Sequence, residues 1–246
     1  MSQPSVFLSA RWENLVMINY EVDPAILIPH LPPFTELDLF EGKALVSVVG
    51  FMFRKTKVMG ISWPLHSTFE EVNLRYYVKH FDGHQWKRGV GFISEIVPKP
   101  MISIMANMLY NEHYSSAWMK HQITSTENEI TVSFDWKKLS TGWNRMRLTA
   151  EKNTLPLEPG TEAWFILEHY WGYNKLNETT TIEYAVEHPT WQIHPVKTVE
   201  LKADITKLYG AAFSPFIDHV APHSVFLAKG SAVIVRKPVK IKAKNK

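Results

Sequence analysis

Four polar side chains recur at alternate positions in FEEVNLRYYV, residues 69–78: Glu71, Asn73, Arg75 and Tyr77. A carboxyl group can give or take a proton, a guanidinium can hold an anion, and an amide and a phenol can orient what lies between them. The aromatic and β-branched neighbours predict a strand, whose successive side chains point to opposite faces. Val72, Leu74, Tyr76 and Val78 then form an apolar face, while Phe69, Glu71, Asn73, Arg75 and Tyr77 share the other. Next-but-one residues on a face lie ~6.6 Å apart, which separates Glu71 from Arg75 by ~13 Å along the backbone. These two charges cannot simply neutralise each other, although Glu71 can reach Asn73 and Asn73 can reach Arg75. Each charge must otherwise meet water, a neighbouring strand or a ligand. A solvated sheet face, an internally satisfied network and a ligand cavity are all open.

A second constellation is AWFILEHYWGY, residues 163–173. Read as a strand, it places Trp164, Ile166, Glu168 and Tyr170 on one face and Phe165, Leu167, His169 and Trp171 on the other. Apolar surroundings would raise the pKa of Glu168 and lower that of His169, which suits acid or base work, although such groups are also common as satisfied structural residues. Eleven histidines include the close pairs His80/His84, His188/His194 and His219/His223. None matches a zinc motif, and no metal site is expected. There is also no nucleophile elbow, Walker sequence or dinucleotide-binding glycine motif. With no cysteine in the chain, thiolate catalysis, disulfides and Cys-based zinc sites are excluded.

The elements around these groups are mostly short strands. WENLVMINYEV, residues 12–22, predicts the first; DPAILIPHLPP predicts one short helix, with Asp23 as its cap and Pro24 at its first position. Residues 36–54 predict two strands about Glu41-Gly42, and a hairpin turn is expected at Asp82-Gly83. The spacing over 98–111 predicts a helix, strands follow through residue 188, VELKADITKLYGAA contains another helix, and SVFLAKGSAVIVRKP predicts a closing hairpin. Many strands with two or three short helices point to a β-dominated sheet that curls or closes.

The 246 residues are 45% hydrophobic and 21% charged, as in ordinary globular proteins. The formal charge of +3 is misleading, because six of the 27 Lys and Arg lie in the last eleven residues, RKPVKIKAKNK. The remainder sets 21 cations against 24 acids, which argues against a nucleic-acid platform. One domain over 1–235 and a flexible basic tail over 236–246 are expected. With no basic-then-apolar leader and no membrane-length apolar run, a cytoplasmic protein without membrane insertion is expected.

RWENLVMINYEVDPAILIPHLPP, LDLFEGKALVSVVGF, FEEVNLRYYV, FILEHYWGY, HPTW and SVFLAKGSAVIVRKP resemble, in order, the YqjF-like family of uncharacterised bacterial proteins, which carries a similar F-x-E-x-N-x-R-x-Y-V strand. That family is placed in the acetoacetate decarboxylase-like superfamily. The resemblance implies one mostly antiparallel β-barrel or cone with a central pocket, in which Glu71 is similar in position to a pocket glutamate of the decarboxylase. It also implies a difference, because the decarboxylase uses a Schiff-base lysine from a Pro-Lys-Lys motif. MANMLYNEHYSSAWMK, in the corresponding region, has no lysine between Lys99 and Lys120, and Glu13 stands about where the enzyme has an arginine. A Schiff-base decarboxylase is not expected, and no cofactor is implied. The favoured reading is a small-molecule-binding protein, its oligomeric state open. The alternative is a lyase- or hydrolase-type enzyme on a small organic acid, with Glu71 as acid or base and Arg75 holding the anion. Asn73 and Tyr77 would orient the substrate, with Glu168, His169 or His113 as accessory groups.

Overall fold

The computed structural model describes residues 4–63, 66–99 and 114–242. In chain order the strands are β1 (Val6–Val22), β2 (Glu36–Leu37), β3 (Ala44–Val58), β4 (Phe69–Phe81), β5 (Trp86–Val97), β6 (Tyr114–Ser116), β7 (Trp118–Ser125), β8 (Glu129–Lys137) and β9 (Asn144–Glu151). After helix α1 (Glu162–Leu167) come β10 (Trp171–Asn177), β11 (Thr180–Glu187), β12 (Ile193–His194) and β13 (Val196–Lys202). Helices α2 (Ile205–Tyr209) and α3 (Ser214–Ile217) precede β14 (Ser224–Arg236) and β15 (Val239–Lys242).

Strands β14, β1, β3, β4, β5, β10 and β11 are hydrogen-bonded in that order, and β11 returns to β14 through Val186↔Val235 and Glu187↔Ile234. The result is a closed, curled sheet, as the strand-rich pattern led us to expect. All the pairings in this ring are antiparallel except the short β5–β10 contact. A second sheet, β13-β9-β8-β7, is antiparallel throughout. It covers the outside of β1, β3 and β4, where Phe134, Trp136, Met146 and Leu148 meet Val16, Val48, Val72 and Leu74 in one fully buried cluster. A second cluster, with Met17, Val49, Phe51, Tyr77, Phe165 and Ile166, lies on the opposite face of the same strands, inside the ring.

β4 is therefore covered on both faces. Val72, Leu74, Tyr76 and Val78 pack toward the second sheet, while Glu71 and Asn73 look inward and are only 3% and 2% exposed. Burial of the polar row rules out the solvated-face alternative.

Several expectations need correction. The strand predicted over 163–173 is a helix followed by a strand. Thr161 caps α1 by accepting from Trp164 N at 3.2 Å, and β10 starts only at Trp171. Glu168 and His169 thus sit on the link between the two elements, and strand phase does not apply to them. The helix predicted after Asp23 is two 3-10 turns, Pro24–Ile26 and Ile28–His30, because Pro29 has no N–H to donate to the carbonyl of Ala25 and its ring would clash with it in an α-helix. Residues 224–236 form one strand and no hairpin. Gly230, at φ +77°, bends it, and an added Cβ there would lie 2.0 Å from Trp12 O. The tail is paired beyond its expected start, since Arg236 ends β14 bound to Glu187 and β15 pairs with β11. The helix predicted over 98–111 lies almost wholly outside the described residues.

Candidate functional site

The ring encloses a cavity of about 200 Å3, and Glu71, Asn73, Arg75 and His169 all line it. Register places Glu71 opposite Phe51 and Asn73 opposite Val49 on β3, with Glu95 of β5 on the other side of Asn73. Phe51, Phe53 and Phe69 continue the wall, with the Phe53 and Phe69 rings stacked at 4.6 Å, and the half-exposed Trp63 also lines it. The lining combines this polar group with aromatic and aliphatic side chains.

Glu71 accepts from Asn73 Nδ2 and from Tyr114 OH, both at 2.9 Å. Burial pushes its carboxyl pKa up to about 7, against the opposing hydrogen bonds of Asn73 and Tyr114 and the charge of Arg75. Arg75 Nη2 donates to Ile166 O at 3.0 Å, makes a longer contact of 3.7 Å to Met17 Sδ, and holds its guanidinium 5.4 Å from the Tyr77 ring centre. Among the described residues no carboxylate is within ion-pair range of Arg75, and its buried Nε has no protein partner. The side-chain oxygen of Asn73 also lacks one. Tyr77 OH is 2.5 Å from Ser47 Oγ, which itself donates to Asn19 Oδ1; the phenol must therefore be the donor to Ser47.

His169 is held by a residue far away in sequence. Its Nε2 lies 3.3 Å from Asp38 Oδ2, which also accepts from Arg88 Nε at 2.6 Å. Burial opposes ionisation of Asp38, but the hydrogen bonds and charges of His169 and Arg88 outweigh it and hold the acid below its usual range. Burial lowers the His169 pKa to about 4, only partly offset by its bond to Asp38. A neutral imidazole against an ionised carboxylate must carry its proton on Nε2, so Nδ1 is an acceptor, and among the described residues it has no protein partner. The ring sits 4.8 Å from that of Tyr77.

The polar row, Arg75 and His169 are brought together; Glu168 is not. It accepts from the Tyr170 hydroxyl and from Thr190 Oγ1 and does not line the cavity. His113 lies outside the described residues. Sequence reasoning did not single out Asp38, Tyr114 or Glu95. Asp38 lies 131 residues from His169 and Tyr114 lies 43 from Glu71, and no local pattern carries pairings of that range. No lysine is among the described residues lining the cavity, and the described residues contain no cluster of three His, Asp or Glu placed to hold a metal. Nor is any described helix long and apolar enough to cross a membrane.

A closed sheet of this kind is the fold of the acetoacetate decarboxylase-like proteins. The structure superposes on an acetoacetate decarboxylase-like enzyme from Sphingomonas wittichii RW1 with a TM-score of 0.64 and 12% identity, covering 98% of this chain and 95% of that one. Acetoacetate decarboxylase from Legionella pneumophila gives 0.59 at 16% identity, with 97% and 90% covered. The enduracididine biosynthesis enzyme MppR complexed with pyruvate gives 0.62 at 11%, with 98% and 91% covered. These likenesses establish the fold. Within it, the chain belongs to the family DUF2071, described as uncharacterized conserved protein (COG2071), which it matches over residues 9–232. It is a distant homologue of the uncharacterized protein YqjF of Bacillus subtilis (strain 168), 24% identical over 189 residues, with 72% of each chain covered.

Proposed function

We propose that this protein binds a small organic acid inside the closed sheet, without forming a covalent bond to it. The observation that carries this reading is the Arg75 guanidinium, which reaches the cavity with a backbone carbonyl and a thioether as its hydrogen-bond partners and, among the described residues, no carboxylate within ion-pair range. A charge so placed is costly unless it is paired, and an anionic ligand would pair it. The aromatic wall takes the ligand's apolar part, and a cavity near 200 Å3, below the ~300 Å3 at which drug-sized sites begin, restricts it to a small molecule. Native mass spectrometry with a panel of small acids tests the reading: one-to-one adducts are expected with the wild type, and Arg75→Gln should weaken them at least about tenfold, as for a lost charged hydrogen bond. Adducts unaffected by that change would place the ligand elsewhere.

A second reading, acid–base catalysis on the bound acid, is favoured by Glu71 alone. A buried carboxyl with a pKa of about 7 can both donate and accept a proton at neutral pH. Any turnover of a bound acid should then vanish in Glu71→Gln while binding persists.

A further inference from the structure

Of the buried side-chain atoms on cavity-lining residues that have no protein partner among the described residues, Trp12 Nε1 and Thr56 Oγ1 are two, and three more belong to the polar group around Tyr77: Arg75 Nε, Asn73 Oδ1 and His169 Nδ1. Of these three, Arg75 Nε is a cationic donor, whereas the other two are acceptors. Asn73 Nδ2 is committed to Glu71, which fixes its oxygen as the free end, and His169 Nε2 is committed to Asp38, which leaves Nδ1 with its lone pair. Arg75 and His169 both lie against the Tyr77 ring, at 5.4 and 4.8 Å, and Asn73 is the next residue on the face that carries Arg75. One small ligand lying against Tyr77 can therefore reach both Arg75 and His169.

The chemistry they demand is specific. A carboxylate satisfies Arg75 but supplies no proton to the two acceptors, and a keto group beside it supplies none either. A hydroxyl supplies one. An ammonium group would do so only by bringing a second cation next to Arg75. We infer that the acid taken by this cavity carries a hydroxyl beside its carboxylate, a hydroxy acid and not an oxo acid, and that Asp38 is the positioning residue that turns His169 to receive that hydroxyl. The inference rests on the acid-binding reading above and adds what distinguishes one acid from another.

Three acids that differ at one carbon test it: 4-methylpentanoate, its 2-oxo derivative and its 2-hydroxy derivative, titrated into the full chain by calorimetry. The 2-hydroxy acid is expected to bind roughly 10- to 100-fold more tightly than either of the others, because its hydroxyl can donate to His169 Nδ1 and neither of the others brings a proton to it. His169→Phe, which keeps a flat ring beside Tyr77, should bring the three within about threefold of one another. Asp38→Asn, which allows the imidazole to carry its proton on Nδ1, should shrink the preference in the same direction. Equal wild-type binding of all three, still abolished by Arg75→Gln, would overturn the hydroxy-acid inference and leave the acid-binding reading standing. Failure of all three to bind would overturn both. The wild-type comparison needs no variant, so the test holds even if a substitution at the buried His169 or Asp38 impairs folding.

Discussion

At the scale of single residues, Glu71 and His169 are both shifted by burial, in opposite directions, and that has a consequence for stability. Folding raises the Glu71 pKa from 4.5 to about 7, so the native state favours the protonated carboxyl. Its contribution is complete below about pH 4.5 and is lost as pH rises through about 7. For His169 the pKa falls from 6.5 to about 4, so the neutral ring is favoured; that contribution is present above about pH 6.5 and is lost as pH falls toward 4. Urea unfolding of the wild type and Glu71→Gln at pH 5 and pH 8 should show the wild type losing stability relative to the variant at the higher pH. A gap that does not change with pH would mean that Glu71 titrates alike in the folded and unfolded chains. The polar row itself was legible from alternation, a covalent property of the strand. That it would be buried was not, because nothing in ten residues says what lies over either face.

Among the elements, β14 shows how a local signal is overridden. Lys229-Gly230-Ser231 looks like a turn between two apolar runs, yet the strand runs through it, and Gly230 pairs with Glu13. Gly230 bends the strand in a left-handed conformation where its missing Cβ lets the Trp12 carbonyl approach. Gly230→Ala should cost about 2 kcal/mol or more, from the positive φ together with a contact that only a backbone shift can relieve. Because Trp12 packs edge-on against Phe51 and Phe53, the shift should also change tryptophan fluorescence. Unchanged stability and emission would show that the bend tolerates a side chain. α1 is the opposite case. Pro159-Gly160-Thr161 is a legible start signal, but the run AWFILEHYWGY has the aromatic and β-branched character of a strand. The contacts of Phe165 and Ile166 inside the ring, together with the Thr161 cap, favour the helix.

For the molecule as a whole, the second sheet keeps the outer face of the ring dry. Gly50 on β3 lets it come close, since a Cβ there would lie 2.8 Å from Phe134 and 2.7 Å from Met146 Sδ. Phe134 is fully buried in that junction, and Phe134→Ala should destabilise the protein by about 3–5 kcal/mol in denaturant unfolding. A loss below about 1 kcal/mol would mean that the two sheets are not one cooperative core.

The strand-rich class, the two faces of β4, the absence of any lysine between Lys99 and Lys120 and the polar row were all determined by the sequence itself. Each follows from residue type, composition or a period set by backbone geometry. Which face of β4 became the inside was decided by ring closure and by the sheet laid over the other face. The partners of the functional groups were decided there too. Arg75 meets a carbonyl 91 residues away, and His169 meets an aspartate 131 residues away. Such pairings arise when distant segments are packed side by side, and no local spacing encodes them.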